Sequence, residues 1–512
     1  MNLPTSYKRW HLYGAGLESV RLETVPLVPP GPDEILMRHD ACGICFSDIK
    51  IINLGGEHPR LTGRDLANNP VVMGHEVTLT VVAVGERRTD RFAVGQRFIV
   101  QADVYYKGTN LAYGYAITGG MSQYGLIGKE LLDGDEGCYL LPLDESSNDA
   151  EGALVEPWAC VEASYRWKHR TAPTADGDYL LIPTNLKVRL ADDPAGRRSI
   201  VQNGVVPDPP HGKGYDDIYI NGDAPAPEVF EAACKKLAKN GTVYVRVETP
   251  LARPVAVDVG RIHYDGHAYI GPKENQRNEI LGGGVSWFIG AAGPMGMMHA
   301  QRALSLPEPP RLLLITDRHD ARLQAVADRF GALAKERGVE LILCNVRTGP
   351  EPDLKAIAPD GFDDIVVMVP SIEAIEQSFP HLAENGVLNV FAGVARGTTA
   401  TIDVSDICFK NVRIVGTSGS SIADMYAVKE KLEAGTLATG DSLAAIGGLE
   451  TFAEGLAAVK NSRFSGKTVI YPHVENLPLT ALPDLKTVRP AVYEKLRDGQ
   501  FWTDEAEAAL SA

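Results

Sequence analysis

Residues 41–48, Ala-Cys-Gly-Ile-Cys-Phe-Ser-Asp, place a thiolate donor (Cys45), a hydroxyl (Ser47) and a carboxylate (Asp48) in one short segment. Cys45 alone proves little, because cysteines are commonly buried as small hydrophobes. What raises it is the rest of the first third of the chain. Gly74-His75-Glu76 supplies an imidazole beside a carboxylate, and Glu156-Pro157 adds a second carboxylate. Thiolate, imidazole and carboxylate are the donors a zinc ion accepts, and a catalytic zinc takes three protein ligands while keeping one position open. The bland alternative makes His75 a satisfied core histidine and Glu76 half of an ion pair.

Such donors need a stiff frame. Residues 34–39 and 77–84 alternate in the manner of half-buried strands, and Gly85, Gly95 and Pro29-Pro30-Gly31-Pro32 interrupt them. The pattern predicts an all-β, barrel-like region to about residue 130. Beyond it, Glu156-Pro157 followed by Ala159, Val161, Ala163 and Tyr165 reads as a helix with proline in its first turn.

With 512 residues, 44% of them hydrophobic, the chain can bury more than one core. A formal net charge of −16 and a pI near 5.3 argue against nucleic acid as a partner, since phosphate binding needs a basic face. No segment reaches the roughly 18 apolar residues of a membrane span, and the start of the chain lacks the basic, then apolar, pattern of a signal peptide. Seven cysteines without a disulfide-like framework fit a reducing cytoplasm.

From about residue 284 strands and helices alternate. Val285-Ser286-Trp287-Phe288-Ile289 opens into Gly290-Ala291-Ala292-Gly293-Pro294-Met295-Gly296, a helical stretch runs to about Leu304, and residues 311–317 form the next strand with Asp317 at its end. Strand, glycine turn, helix, strand, acid is the dinucleotide-binding arrangement. The glycines admit a pyrophosphate, the helix N-terminus stabilises its charge, and the acid accepts from ribose hydroxyls. The cofactor-binding candidates are Gly290, Gly293, Pro294, Met295, Gly296, Asp317 and Arg318, with Val369 and Gly393 from the later strands. Asp317 would repel a 2′-phosphate, which favours NAD over NADP, although Arg318 beside it leaves the choice open. The pattern continues through strands at 363–369, 386–391 and 412–416, a helix at 371–383, a helix and strand within 452–471, and a charged terminal helix over 491–510.

Residues 215–220 echo residues 362–367 at an offset of 147, and residues 238–245, Val257-Asp258-Val259, Ile262 and Ile270-Gly271 echo residues 383–390, Ile402-Asp403-Val404, Ile407 and Val415-Gly416 at an offset of 145. A supersecondary pattern repeated at a nearly constant offset marks an internal copy. Residues 177–280 therefore read as a partial second copy of the later half of the nucleotide-binding domain, without the glycine-rich first unit and hence without dinucleotide binding. Structural support or subunit contact is its expected job.

In combination, Cys42-Gly43-Ile44-Cys45-Phe46-Ser47-Asp48, Gly74-His75-Glu76, residues 118–124 (Thr-Gly-Gly-Met-Ser-Gln-Tyr), Glu156-Pro157 and the glycine turn resemble the zinc-dependent medium-chain dehydrogenase family over residues 20–168 and 284–472. A carboxylate at Glu156 is similar to the sorbitol dehydrogenase branch, and the wording of residues 156–165 with the interrupted layout most resembles the L-sorbose 1-phosphate reductase-like proteins. The resemblance implies an α/β chain. Its parts would be a GroES-like β-barrel catalytic domain over 1–168, an inserted, degenerate Rossmann-like repeat over 169–283, a doubly wound NAD-binding Rossmann domain over 284–420, and a return to the catalytic domain with a helical tail over 421–512. It implies one catalytic zinc on Cys45, His75 and Glu76, with Glu156 bound directly or through water. Ser47 would relay the substrate proton and Asp48 would orient His75. A homo-oligomer, dimer or tetramer, is expected.

Three departures qualify this. Residues 101–120, where many relatives carry four cysteines for a structural zinc, contain none, so no structural zinc is expected. Lys50, grouped with Ser47, Asp48 and Glu156 as catalytic, stands where alcohol-acting relatives often have a relay histidine. Ala291 displaces the first glycine of the turn, as in quinone reductase-like members. Lys50, His58, Arg60 and Arg64 form a basic group that could hold a phosphate on the substrate, or could equally be solvated loop charges. The expected activity is NAD-linked interconversion of a secondary alcohol and a ketone on a polyol, sugar or sugar phosphate. Rival readings are a non-catalytic nucleotide-binding structural or regulatory protein and a zinc-independent quinone reductase.

Overall fold

The strands Ile35–Ile44 and Glu76–Val84 stand at the centre of a sheet, and they are buried along most of their length on both faces rather than half-buried as their alternation predicts. The computed structural model describes residues 3–61, 63–166, 174–183, 197–273 and 277–511. These form two compact units, one of residues 1–162 with 419–512 and one of residues 163–418. The expected limit at 283/284 falls within the second unit, where the inserted segment and the Rossmann strands share a sheet.

The first unit carries an eight-stranded sheet in the order Thr480–Ala481, Leu443–Gly448, Lys467–Tyr471, Ile35–Ile44, Glu76–Val84, Arg97–Val100, Leu140–Pro142, with Tyr124–Ile127 also paired to Ile35–Ile44. The charged helix expected over 491–510 is broken. Asp498 and Gly499 adopt φ of 54° and 67°, which a helix cannot contain, so the stretch is split into the short helix Pro490–Tyr493 and the last helix Asp504–Ser511. That last helix still bears on the site. The Glu507 carboxylate accepts from the Asp149 and Ala150 backbone N–H groups, from the Tyr471 hydroxyl (2.7 Å) and from Trp502 Nε1 (3.1 Å). It thereby anchors the helix Asp149–Ala153, which leads into Val155–Ala163 and Glu156.

The second unit carries an eleven-stranded sheet. Its Rossmann half runs Glu340–Asn345, Leu312–Asp317, Val285–Ile289, Phe362–Val367, Leu382–Val390, Arg413–Val415, all parallel. The inserted half continues through Ala268–Ile270, Leu237–Val247, Tyr215–Gly222, Asp178–Pro183, Arg197–Ile200, also parallel among themselves. The copy is therefore fuller than its sequence suggests, since Asp178–Pro183 stands where Val285–Ile289 stands in the other half. What it lacks is the glycine turn, because no glycine follows Pro183 before Ala195; residues 184–196 lie outside the described residues.

Both halves share fine detail. Each has the same register shift, between Tyr215 and Asp217 and between Phe362 and Asp364, and each turns through an asparagine at positive φ, Asn240 at 60° and Asn385 at 63°. Asparagine tolerates this left-handed geometry and β-branched residues do not. Asn385→Val is expected to lose at least about 1 kcal/mol more than Asn385→Gly in urea unfolding, because glycine keeps the turn.

Candidate functional site

The metal-donor candidates stand in the first unit. Cys45 caps the helix Phe46–Leu54, and Asp48, three residues on, closes a capping box by accepting from the Cys45 backbone N–H at 2.9 Å. The spacing Cys-x-x-Asp thus presents the thiol at a helix N-terminus. His75 and Glu76 enter where the Glu76–Val84 strand begins, and Gly43 faces Glu76 in the register. A Cβ on Gly43 would lie 2.1 Å from Glu76 Oε2, so only glycine leaves room for that carboxylate. Donor atoms of Cys45, His75 and Glu76 all lie within 4.8 Å of one another.

Glu156 lies outside that tight group. It stands close enough that His75, Glu76 and Lys467 bear on it electrostatically, and burial pushes its carboxyl pKa up. Cys160, one helical turn on, sits with Sγ 3.8 Å from Glu156 Oε1. Cys42 is a packing residue, since Cβ atoms at Gly74 and Gly120 would meet its sulfur at 2.6 and 2.9 Å. Asp48 Oδ1 is 3.7 Å from His75 Nδ1, an ion-pair distance rather than a hydrogen bond, and the hydrogen-bonded contact of this carboxylate is with the Cys45 backbone.

Three observations fit this pocket to a cation. His75 Nδ1, Asp48 Oδ1 and Glu76 Oε2 are buried without hydrogen-bond partners, which fold energetics tolerates only where something else satisfies them. The donor set of thiolate, imidazole and carboxylate is that of zinc. Finally, burial opposes protonation of His75, yet Cys45, Asp48 and Glu156 hold its pKa well above the usual range, so the surroundings favour positive charge.

Lys467 was not legible in the sequence. Its ammonium is buried, donating to Glu76 Oε1 at 2.5 Å and to the Ile44 carbonyl at 3.2 Å. Burial works against that charge, but Glu76, Cys45 and Glu156 outweigh it and keep the lysine pKa above its ordinary value. Glu76 is thus half of an ion pair through one oxygen and a candidate ligand through the other. The only sequence signal is a lysine heading the apolar run 468–471.

Tyr115 was missed as well. It is buried, shares a hydrogen bond with the Ser47 side chain, and lies with its ring 6.0 Å from His75 and 5.3 Å from His58. Ser47 Oγ is 3.5 Å from Cys45 Sγ. The basic group separates into different roles. Arg64 is spent on the carbonyls of Asn69, Pro70, Tyr115 and Ala116, a loop clamp rather than an anion site. Arg60 lies over the Tyr115 ring and pairs with Asp103 at 2.7 Å, while Lys50 is exposed on the helix that starts at the site.

In the second unit the glycine turn behaves as a close-approach device. Gly290 has φ 70°, and a Cβ there would meet Val369 Cγ1 at 2.1 Å; a Cβ on Gly296 would meet the Ala291 carbonyl oxygen at 2.2 Å. Gly293 caps the helix Pro294–Ser305, with Pro294 and Met295 half-buried in its first turn. Asp317 accepts from the backbone N–H groups of Ala292, Arg318 and His319, which ties the acid to the turn. Arg318 is exposed, and Gly393 is covered by His263 of the inserted segment. Arg322, which the sequence pattern did not single out, brings Nη1 to 3.5 Å from a Cβ built on Gly293.

Residues 31–132 match the family model described as the alcohol dehydrogenase GroES-like domain. Mannitol-1-phosphate 5-dehydrogenase of Aliivibrio fischeri is 25% identical over 97% of this chain and 95% of its own length. L-sorbose 1-phosphate reductase of Klebsiella pneumoniae is 25% identical over 97% of this chain and 96% of its own. Among solved structures, 2R,3R-butanediol dehydrogenase from Bacillus subtilis has the same fold, with a TM-score of 0.54 at 16% identity over 91% of this chain and 100% of its own.

Removing one partner of a buried ion pair strands the other charge. Lys467→Met is therefore expected to cost about 3–5 kcal/mol in denaturant unfolding. Lys467→Met combined with Glu76→Gln should cost clearly less than the sum of the single changes, the mark of a direct coupling.

Proposed function

We infer that this chain, a member of the zinc-dependent medium-chain dehydrogenase family, interconverts a secondary alcohol and a ketone on a polyol, sugar or sugar phosphate with NAD(H) as hydride partner. The observation that carries this reading is the group of half-buried Cys45 with buried His75 and Glu76, with donor atoms within 4.8 Å of one another and Glu156 near them. Zinc would be held by Cys45 and His75 with Glu156 or the free oxygen of Glu76, and when bound it would act as a Lewis acid on the substrate oxygen.

The protein's own residues do the rest. Ser47 would hydrogen-bond the substrate hydroxyl and relay its proton, passing its own hydroxyl proton on to solvent as it takes the substrate's, and its bond to Tyr115 holds its rotamer for that task. Burial raises the Tyr115 pKa, so the phenol keeps its proton. Asp48 fixes the Cys45 backbone, and Lys467 offsets the negative charge gathered around the donors. In the second unit, the turn from Gly290 to Gly296 would take the pyrophosphate, and Asp317 the ribose hydroxyls, which supports NAD over NADP. The cations suited to a substrate phosphate are Arg60, shared with Asp103, and Lys50. All seven cysteines are free, in keeping with a reducing cytoplasm.

A steady-state panel of polyols against their phosphates, with both nicotinamide cofactors, tests the reading. Phosphorylated substrates should be preferred. Arg60→Gln should raise their KM by about tenfold with kcat nearly unchanged, the signature of lost ground-state binding. Equal rates with and without phosphate would remove the phosphate part. Cys45→Ala should lower kcat/KM by about a thousandfold or more, since it removes a zinc ligand; wild-type turnover in that variant would sink the zinc mechanism.

A further inference from the structure

The inserted half and the Rossmann half meet edge to edge, and the residues that face one another are counterparts in the repeat. Tyr269 pairs with Ile414 and Ala256 pairs with Thr401, in both cases antiparallel and in both cases 145 residues apart. Around the second pair, Val255 faces Ile402 and Val257 faces Ala400, which are the same two contacts with the halves exchanged. The first pair joins the two halves of the eleven-stranded sheet, in which every other pairing is parallel, and the second forms a separate two-stranded sheet between the halves.

Contacts beyond the strands repeat the exchange. A Cβ on Gly271 would strike the Ile407 carbonyl oxygen at 2.2 Å, and a Cβ on its counterpart Gly416 would approach the carbonyl oxygen of Ile262, the counterpart of Ile407, at 3.1 Å. His263 Nδ1 lies 3.3 Å from the Val390 carbonyl oxygen, and its counterpart Cys408 places Sγ 3.3 Å from the Val247 carbonyl oxygen, within two residues of the same offset. Ile262, Ile407, Val257 and Ile402 share one continuous core. Residue i touching j while j touches i is the rule of an isologous two-fold interface between identical subunits. Here the rule holds within one chain.

We propose that residues 215–271 are a second subunit carried inside the chain, filling in cis the sheet edge and helix face of the 362–416 half through which another copy of that half would otherwise bind. An open edge such as Arg413–Val415 invites a further strand, and covering it removes that liability. The copy keeps the contact-forming elements and has lost the glycine turn, which is the division expected if contact is what it is retained for. Any self-association of the chain must then use other surfaces, since the sheet now ends at Arg197–Ile200 and Glu340–Asn345. The proposal is independent of the catalytic reading.

Residue 401 lies on the pseudo-axis, so in a true two-fold dimer it would face its own copy, whereas here it faces Ala256. Thr401 is exposed and Ala256 half-buried, so cysteines at these places leave the core intact. The full-length Thr401→Cys variant and the Ala256→Cys/Thr401→Cys double variant are oxidised beside the wild type and resolved on non-reducing gels with thiol titration. The single variant should give no more covalent dimer than the wild type, and the double variant should lose two thiols while remaining monomeric on the gel. A covalent dimer from Thr401→Cys alone would show the edge open to a second copy and overturn the proposal. Interchain dimers of the double variant would show the contact made between chains, and two thiols that stay titratable would show no contact at all; either also overturns it.

Discussion

The first unit is organised around a crowd of acidic donors. Half-buried Cys45 and buried Glu76 bring donor atoms within 4.8 Å of His75, Asp48 and Glu156 bear on the same histidine, and the buried ammonium of Lys467 stands against them. Two like charges 4 Å apart repel by about 4 kcal/mol at an effective dielectric constant near 20, so a cluster of this kind is costly without positive charge beside it. Lys467 supplies part of that charge permanently. The rest is left for a cation, which is why the orphaned atoms of His75, Asp48 and Glu76 read as a coordination site rather than as a defect of packing.

Backbone geometry makes that crowding possible. Gly43 leaves the room Glu76 occupies, the Asp48 capping box sets the Cys45 backbone, and Gly74, at φ 96°, brings the chain against Cys42 so that His75 enters at its required place. The C-terminal helix contributes through Glu507, which accepts from the backbone at the start of the helix pair carrying Glu156. None of these residues need touch a substrate, and each narrows where the donors can be.

The second unit solves a different problem, the unpaired edge of a sheet. A parallel sheet that ends on Arg413–Val415 must be covered, and a copy of its own last strands is a surface already complementary to it. The reciprocity of Gly271 with Gly416 and of His263 with Cys408 shows the match extending past the strands into the turns and helices around them.

Donor types and their local spacing were legible in the sequence, because Cys-x-x-Asp, Gly-His-Glu and the glycine turn act over a few residues, where chain geometry leaves little freedom. The repeat was legible too, since its turns demand the same residues twice, as at Asn240 and Asn385. Its first strand was not, because Asp178–Pro183 carries no glycine signature and is recognised only by the partner it pairs with. Lys467 and Tyr115 reach the site from 391 and 39 residues beyond Glu76, and the role of Arg64 was not legible because its carbonyl partners come from the separate stretches 69–70 and 115–116. Local pattern determined which groups could do the chemistry. Only the tertiary structure decided which charges are paired and which are left open, because pairing in a low-dielectric interior depends on distances between segments that the sequence keeps far apart.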